Sequence, residues 1–155
     1  DLMLAFIHNK GNIADSTLTS NSTTIGNYRD SEFQISETGK YATTSGYILN
    51  STWNPSTKPT TNFVDSNRNK IFQSSNGNGI LVTTGTSEKN KVVNIYDIAG
   101  NVNEWILENN SNASSACVYR GGNYSTTGTV CSAAYRGNVN TDYNDMLVGF
   151  RISLF

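Results

Sequence analysis

Few residues in this chain have side chains that could carry catalysis or bind a transition metal. It has one histidine, His8, and two cysteines, Cys117 and Cys131, in 155 residues. His8 follows an apolar run with no cysteine or carboxylate pattern around it, so it is predicted to end a helix at the surface and not to bind zinc. The two cysteines either form a disulfide between neighbouring strands or lie buried as small apolar residues.

Two stretches near the C-terminal end have the composition of a recognition surface. Residues 123–128 and 137–146 are rich in Asn, Ser, Thr and Tyr. Short polar side chains lose little rotamer entropy on contact, and tyrosine adds apolar area with a hydroxyl group, as in antibody loops. The expected anchors are Tyr124 and Tyr143, because aromatic residues dominate most interface energies. The candidate ligand-binding residues are Asn123, Tyr124, Ser125, Thr126, Thr127, Asn138, Asn140, Thr141, Asp142, Tyr143, Asn144 and Asp145.

The recognition surface and its anchors have a simpler structural alternative. The two stretches are then ordinary polar loops without a ligand, since the whole chain is rich in the same residue types. Tyr135 is either a third anchor or a core residue, because it follows Ala133 and Ala134 in an expected strand.

Composition and charge narrow the classes of partner. Charged residues make up 15% of the chain, against about 25% in most globular domains. Neutral Asn, Ser and Thr replace them, with 58 of the 155 residues. The net charge of -1 gives no basic field, which argues against nucleic acid or an anionic membrane surface as the main partner. No apolar run approaches the length that inserts into a membrane, and the chain does not start with methionine, so we expect a mature product or the C-terminal part of a longer protein.

The first half of the chain predicts one helix and many loops. The apolar run Leu2–Ile7 predicts a helix that stops at the turn signal of residues 10–12. Residues 12–27 predict a surface loop anchored by Gly26, Asn27 and Tyr28. Residues 32–36 predict a short strand or turn, and residues 45–79 predict long loops pinned to a core by scattered apolar side chains.

The second half predicts the framework. Short apolar runs separated by turns indicate strands of a small antiparallel sheet at residues 92–98, 102–107, 118–119, 133–135 and 148–154. With no repeat or linker in the sequence, residues 1–155 are expected to form a single α+β domain.

Four motifs in the last part of the chain occur in an order that belongs to a known family. They are Y-D-I-A-G-N-V-N-E-W from Tyr96, R-G-G-N-Y from Arg120, A-A-Y-R from Ala133 and G-F-R from Gly149. This order resembles the domain of formylglycine-generating sulfatase-modifying enzymes, and the resemblance implies a C-type-lectin-like fold with one or two helices and long loops. Within that family the chain most resembles the variable proteins of phages and prophages that are diversified by retroelements. The resemblance places a variable region at about residues 117–151.

The same resemblance implies a structural Ca²⁺ site. The residues at the ligand positions of the family are Asp97, Gly100, Val102 and Glu104. Their carboxylate and carbonyl oxygens are the hard ligands that Ca²⁺ requires, with further oxygens supplied by water or by other residues. Asn103 departs from the family pattern, which has tryptophan there. The alternative is that Glu104 pairs with one of three arginines, Arg120, Arg136 and Arg151.

The family's oxidase activity is not expected in this chain. The oxidases bind copper through two cysteines five residues apart, because soft thiolates suit Cu(I). Cys131 falls near the second position, whereas Thr126 falls on the first and Cys117 precedes the R-G-G motif. We therefore expect no copper and no enzymatic activity.

The resulting hypothesis is a non-enzymatic binding protein. It would be a ligand- or receptor-binding variable protein displayed outside the cell on a virion or bacterial surface, and it would bind a protein or glycan on a target cell. Strands carrying Trp105, Arg120, Arg136 and Phe150 would form its framework. Two alternatives remain: a fixed structural or trimerisation module, for which an oligomer is expected, and a copper-dependent oxidase.

Overall fold

The structure is a computed structural model that describes residues 2–31, 40–45, 48–49, 54–55 and 80–150. The strand or turn predicted at residues 32–36, most of the loop region 45–79 and Arg151 lie outside the described residues. No helix in the described ranges is long and apolar enough to cross a membrane.

Two helices begin the chain. Helix α1 (Leu2–Gly11) confirms the helix predicted from the apolar run, and it ends where Asn12 adopts a left-handed conformation with φ of 51°. Helix α2 (Asp15–Thr19) lies inside the segment predicted to be a surface loop. Half of residues 12–27 are exposed, but Leu18 and Ile25 are buried. The prediction of a surface loop over residues 12–27 is therefore confirmed only in part and is wrong at α2 and at the buried positions.

This Ser, Thr and Asn segment enters the core because its hydroxyl groups bind backbone atoms that would otherwise lose water. The Ser22 hydroxyl donates to the carbonyl of Thr17 at 2.6 Å and accepts from the backbone N–H of Ala133 at 2.7 Å. Buried polar backbone groups need such partners. The predicted anchor at its end is confirmed, since residues 26–28 are buried and the Tyr28 hydroxyl donates to the carbonyl of Gly121 at 2.9 Å.

One apolar cluster holds the helices against the chain that precedes the C-terminal strands. It consists of Ile7, Leu18, Ile25, Tyr28, Val92, Ile98, Ala99 and Ala133. Gly11 lies against Val92 so closely that an added Cβ would be 2.8 Å from a Val92 methyl carbon. Close approach of this kind fixes α1 on the core.

The first group of strands pairs around β1 (Lys40–Ser45). Its partners β2 (Ile48–Leu49), β3 (Asn54–Pro55) and β4 (Ile80–Val82) are all antiparallel to it. Strands β5 (Lys91–Val92) and β6 (Ile95–Tyr96) form a separate hairpin.

The β5–β6 hairpin has a two-residue turn in which Val93 and Asn94 have φ of 50° and 64°. Two positive φ values are typical of the type I′ turn that matches the twist of paired strands. Asparagine tolerates this conformation, whereas a β-branched valine rarely adopts it.

The second sheet carries most of the C-terminal motifs. Its order is β10 (Val148–Gly149), β7 (Asn103–Asn109), β8 (Cys117–Arg120) and β9 (Arg136–Val139). The β7–β8 and β8–β9 pairs are antiparallel, but β10 runs parallel to β7. The prediction of a purely antiparallel sheet is therefore wrong at this edge, although residues 148–149 do form an edge strand there as expected.

The strand predicted at residues 133–135 is also wrong. Ala134 donates its backbone N–H to the carbonyl of Leu18 at 2.9 Å, and Tyr135 donates to Ser132 at 2.9 Å. These bonds hold a turn against the N-terminal segment, so the strand begins only at Arg136.

Asn101 connects the separate parts of the fold through its amide group. Its Oδ1 accepts from the backbone N–H of Val82 and from Nδ2 of Asn27, each at 3.0 Å, and its Nδ2 donates to the carbonyl of Val82 at 3.0 Å. Its own carbonyl accepts from the N–H of Tyr124 at 3.1 Å. The Asn101 side chain thus forms hydrogen bonds with the backbone of β4 as a neighbouring strand would. The described residues form an α+β domain with two helices and small, mainly antiparallel sheets.

Candidate ligand-binding surface

Four aromatic side chains lie together on one side of the second sheet. Trp105 is 6.2 Å from Tyr119 and 6.3 Å from Tyr143 between ring centroids, and both pairs meet edge to face. Tyr119 is 6.3 Å from Tyr135 with tilted rings. Edge-to-face contacts at this distance are favourable beyond the area they bury. We call Trp105, Tyr119, Tyr135 and Tyr143 the aromatic face.

Strand register explains why these rings meet. Trp105 lies opposite Tyr119, and Tyr119 lies opposite Gly137, so the three positions share one side of the sheet. A Cβ added to Gly137 would be 2.3 Å from Cζ of Tyr119. The Tyr119 ring therefore lies across Gly137, in space that only glycine leaves open.

The central phenol of the aromatic face is uncharged at neutral pH, as an ordinary tyrosine is. Burial, followed by the effect of the neighbouring Tyr135, raises the pKa of Tyr119 to about 12. The Tyr119 hydroxyl therefore stays protonated in more alkaline solution than an ordinary tyrosine. The aromatic face presents hydroxyl and indole N–H groups without a fixed charge on its rings.

The end of β9 and the loop that follows it border this surface. In residues 138–145, which we call the exposed loop and which include the last two residues of β9, every residue except Val139 and Asp145 is exposed. The Tyr143 hydroxyl donates to Asp145 at 2.8 Å, and the N–H of Leu147 donates to the same carboxylate at 2.9 Å. Asp145 therefore fixes the position of the Tyr143 ring. The candidate residues Asn140, Thr141, Asp142, Tyr143 and Asn144 are open to solvent. Asn138 is also exposed, but register places it opposite Val118, on the side of the sheet away from the aromatic face.

Residues 123–128, which we call the buried loop, do not join this surface. Tyr124 is only 1% exposed and Asn123 is 5% exposed, so the prediction that Tyr124 is a surface anchor is wrong. Gly121 and Gly122, with φ of 94° and 70°, turn the chain inward before it. Ser125, Thr126 and Thr127 are partly buried.

Internal hydrogen bonds explain why a loop of this composition is buried. The Asn123 side chain accepts from the N–H and the hydroxyl of Ser125 at 2.9 and 2.8 Å. The carbonyl of Thr126 accepts from the N–H of Arg29 at 2.9 Å. The carbonyl of Gly128 accepts from the N–H of Ser22, and the N–H of Gly128 donates to the carboxylate of Asp30. Short polar side chains can form hydrogen bonds with a ligand or with nearby groups of their own chain, and here they bind their own chain.

The residues of the expected Ca²⁺ site lie in the segment after the β5–β6 hairpin and at the start of β7. Asp97 is buried with φ of 52°, and its two carboxylate oxygens accept from the N–H of Gly85 at 3.2 Å and from Nδ2 of Asn90 at 3.3 Å. Carboxylate oxygens are the hard ligands that Ca²⁺ requires. The described residues contain no cluster of three or more His, Cys, Asp or Glu, so carbonyls such as those of Gly100 and Val102 would have to complete the ligands of Asp97 and Glu104. The donor set fits Ca²⁺ chemistry, and the site remains a prediction.

Glu108, which the sequence did not single out, forms ion pairs with two of the candidate arginines. Glu108 accepts from Nε of Arg136 at 2.7 Å and from Nη2 of Arg120 at 3.2 Å. The hydrogen bond from Arg136, and then that from Arg120, lower the pKa of Glu108. Register places Glu104, Arg120 and Arg136 side by side on the side of the sheet opposite the aromatic face. Glu108 lies in β7 at a register shift between Ile106 and Asn109.

The cysteines are free thiols, so of the two interpretations the disulfide is wrong. Cys131 is buried, and burial raises the pKa of its thiol against a hydrogen bond from Thr126. Thr126 and Cys131, the two positions that match the oxidase cysteine pair, therefore lie side by side. A threonine hydroxyl is a poor ligand for Cu(I), so this pair does not fit copper.

Sequence reasoning missed the contribution of the strands to the surface. Trp105 was assigned to the framework and Tyr119 was not considered. The signal available was the alternation of β7 and β8, in which Trp105 and Tyr119 occupy facing positions. The structure also puts Tyr135 with the rings of the aromatic face and only partly buries it.

His8 lies where the sequence placed it, at the end of α1. Its Nδ1 is 2.7 Å from the carbonyl of Ile13 and 3.2 Å from the carboxylate of Asp15. These contacts join α1 to the start of α2.

Comparison with known proteins identifies the family. The model of the sulfatase-modifying factor enzyme 1-like domain matches residues 27–154, which is most of the chain. No curated protein and no solved structure matches the chain. The family match begins at the buried Asn27 and includes all four sequence motifs, and the chain therefore belongs to the sulfatase-modifying factor enzyme 1-like family.

Proposed function

We propose that this protein is a non-enzymatic ligand- or receptor-binding domain with a C-type-lectin-like fold. The observation that carries the proposal is the exposed loop, which contributes Tyr143 to the aromatic face and places exposed polar side chains next to it in the chain. Loops on a rigid sheet can vary without loss of the fold, which is how many recognition sites are built. The recognition surface is smaller than the sequence predicted, because the buried loop is excluded from it.

The pair formed by Thr126 and Cys131 supports binding over oxidase chemistry. Copper capture needs two thiolates at one point, and this pair supplies one thiol with a raised pKa. An anaerobic titration with Cu(I) tests this part of the proposal. We expect no tight complex, and a stoichiometric thiolate complex that is lost in Cys131→Ser would favour the oxidase.

We further propose that the exposed loop is diversified by a retroelement and displayed outside the cell on a virion or bacterial surface. Its residues are largely Asn, Tyr, Thr and Asp, which belong to the set that retroelement mutagenesis produces from codons beginning with two adenines, as the family resemblance implies. The test is the neighbouring DNA. A near-copy of the last part of the coding sequence beside a reverse transcriptase, differing at adenines, is expected, and its absence would make the surface a fixed one.

A structural Ca²⁺ at Asp97, Gly100, Val102 and Glu104 is part of the same proposal. Asp97 follows the hairpin and Glu104 lies in β7, so a bound ion would stabilise the framework and not the recognition surface. Calcium is expected to raise the Tm of the wild type and to leave that of Asp97→Asn unchanged. An equal response of both proteins would contradict the assignment.

Binding itself is tested with labelled protein on a panel of bacterial cells, measured by flow cytometry. Replacing Asn140 and Tyr143 with alanine is expected to abolish binding to whichever cells the wild type labels. Val130→Ala is the matched control, because Val130 is exposed on a turn outside the exposed loop. Equal binding by the wild type and the double variant would refute the proposed surface.

The rival hypothesis is a fixed structural or trimerisation module. It requires that sister subunits cover Tyr143, which is 37% exposed in the single chain. Mass measurement in solution, combined with the same double variant, separates the two. A stable oligomer that dissociates in the variant would favour the structural module.

A further inference from the structure

We infer that the aromatic face binds a neutral carbohydrate, with a sugar ring against Tyr143 and Trp105 and its hydroxyl groups on the exposed loop. The inference rests on the proposed function and names the class of ligand. It starts from the four rings of the aromatic face, whereas the proposed function rests on the exposed loop.

The first argument is the extent of the exposed aromatic area. Of the four rings only Tyr143 is more than a third exposed, and the other three are partly buried. Two edge-to-face contacts hold Trp105 between Tyr119 and Tyr143, so Tyr143 is the most accessible ring of a packed group. One accessible ring suits a sugar ring, whose C–H face is apolar, whereas a protein interface needs about 800 Å² from each partner.

The second argument is charge. Within β7, β8, β9 and the exposed loop, the only cations are Arg120 and Arg136. Both lie on the opposite side of the sheet and bind Glu108. Among these elements an anionic sugar, phosphate or sulfate would find no cation on the aromatic side of the sheet, while Asp142 and Asp145 would repel it.

The third argument is the type of polar group beside the rings. Asn140, Thr141 and Asn144 each combine hydrogen-bond donors with acceptors, as sugar hydroxyls do. Asp145 orders Tyr143 before any ligand arrives, through bonds to the Tyr143 hydroxyl and the Leu147 N–H. A ring that is already fixed loses less entropy on binding, which makes it a suitable platform.

The experiment uses ligand-observed NMR with neutral oligosaccharides. The probes are linear oligomers of glucose, galactose, mannose and N-acetylglucosamine, together with sialylated forms. We expect at least one neutral oligomer to bind and its sialylated form to bind more weakly. Tyr143→Ala is expected to raise the Kd about tenfold, because it removes a ring contact. Tyr143→Phe keeps the ring and is expected to change the Kd by less than about threefold.

One control and one further variant make the result specific. Tyr96→Ala removes a tyrosine on the separate β5–β6 hairpin and is expected to leave the Kd unchanged. Trp105→Phe keeps an aromatic ring in the sheet but removes the indole, and it is expected to raise the Kd; an unchanged Kd would overturn the contact with Trp105. Circular dichroism of each variant shows whether the fold is intact.

The outcomes separate this inference from the proposed function. Preferential binding of the sialylated probes, or binding equal in Tyr143→Ala and wild type, would overturn the carbohydrate assignment. Absence of binding by every saccharide, together with cell binding that depends on Tyr143, would overturn it while leaving the proposed function intact. Absence of binding in both assays would overturn both.

Discussion

Asn101→Ala removes one small amide and, with it, one hydrogen bond from each of three buried polar groups. The backbone N–H and carbonyl of Val82 and Nδ2 of Asn27 all bind this side chain at 3.0 Å. Asn27 keeps a second bond from Nδ2 to the carbonyl of Ile80 at 2.9 Å, so its loss is partial. An unsatisfied buried group costs about 1–3 kcal/mol, which gives about 3–6 kcal/mol in total. Most domains have only about 5–15 kcal/mol of stability, so the variant should be close to unfolding.

Urea unfolding followed by circular dichroism measures this loss as a shift of the midpoint. Two comparisons separate hydrogen bonding from backbone strain. Asn94→Ala is the matched control, because Asn94 has φ of 64° against 62° for Asn101 but is exposed in a turn. It should cost only about 1 kcal/mol, the strain of a left-handed alanine. Asn101→Gly relieves that strain and should still lose most of the stability. If Asn101→Ala costs no more than Asn94→Ala, the reasoning about Val82 is refuted.

Three further perturbations follow from the second sheet and the thiols. Gly137→Ala should destabilise the protein by about 1–3 kcal/mol in urea, because its methyl group would overlap the Tyr119 ring, and an unchanged midpoint would contradict the contact. Glu108→Gln should lower stability at pH 7 and make less difference in acid. The pKa of Glu108 in the folded state lies below its ordinary 4.5. The ionised carboxylate therefore contributes stability above pH 4.5, and this stability is lost as the pH falls through the folded-state pKa. A stability difference between wild type and Glu108→Gln that grows in acid would refute this. A thiol reagent should label the partly exposed Cys117 before the buried Cys131, and both after unfolding without reductant; fewer than two thiols would indicate a disulfide.

Much of the fold was predictable because it follows from local patterns. The apolar run before Asn12 determined α1, and the short apolar runs after Gly100 located β7 and β8 to within a few residues. The start of β9 was missed because residues 133–135 bind the N-terminal segment, at a sequence separation of more than one hundred residues. The parallel pairing of β10 was also missed, since strand direction is decided by the path of the chain between strands.

The candidate site was predicted in part. The exposed loop was found from its composition, and its residues are open to solvent. The same composition gave the wrong result for Asn123 and Tyr124, because Asn, Ser and Thr bind water, ligand or backbone with the same groups. Only the neighbouring chain decides which of these they bind. Here Asn101, Arg29 and Asp30 hold the buried loop inside.

The sequence by itself determined the family motifs, the lack of a basic surface and the neutral polar character of the C-terminal region. These are properties of residue types and their order, and no folding is needed to state them. Tertiary structure alone decided which polar loop faces solvent and which rings share one side of the sheet. It also decided that Glu108 pairs with Arg120 and Arg136. Burial, register and the β-bulge before Asn109 depend on contacts between residues far apart in the chain, and a local pattern contains no information about such contacts.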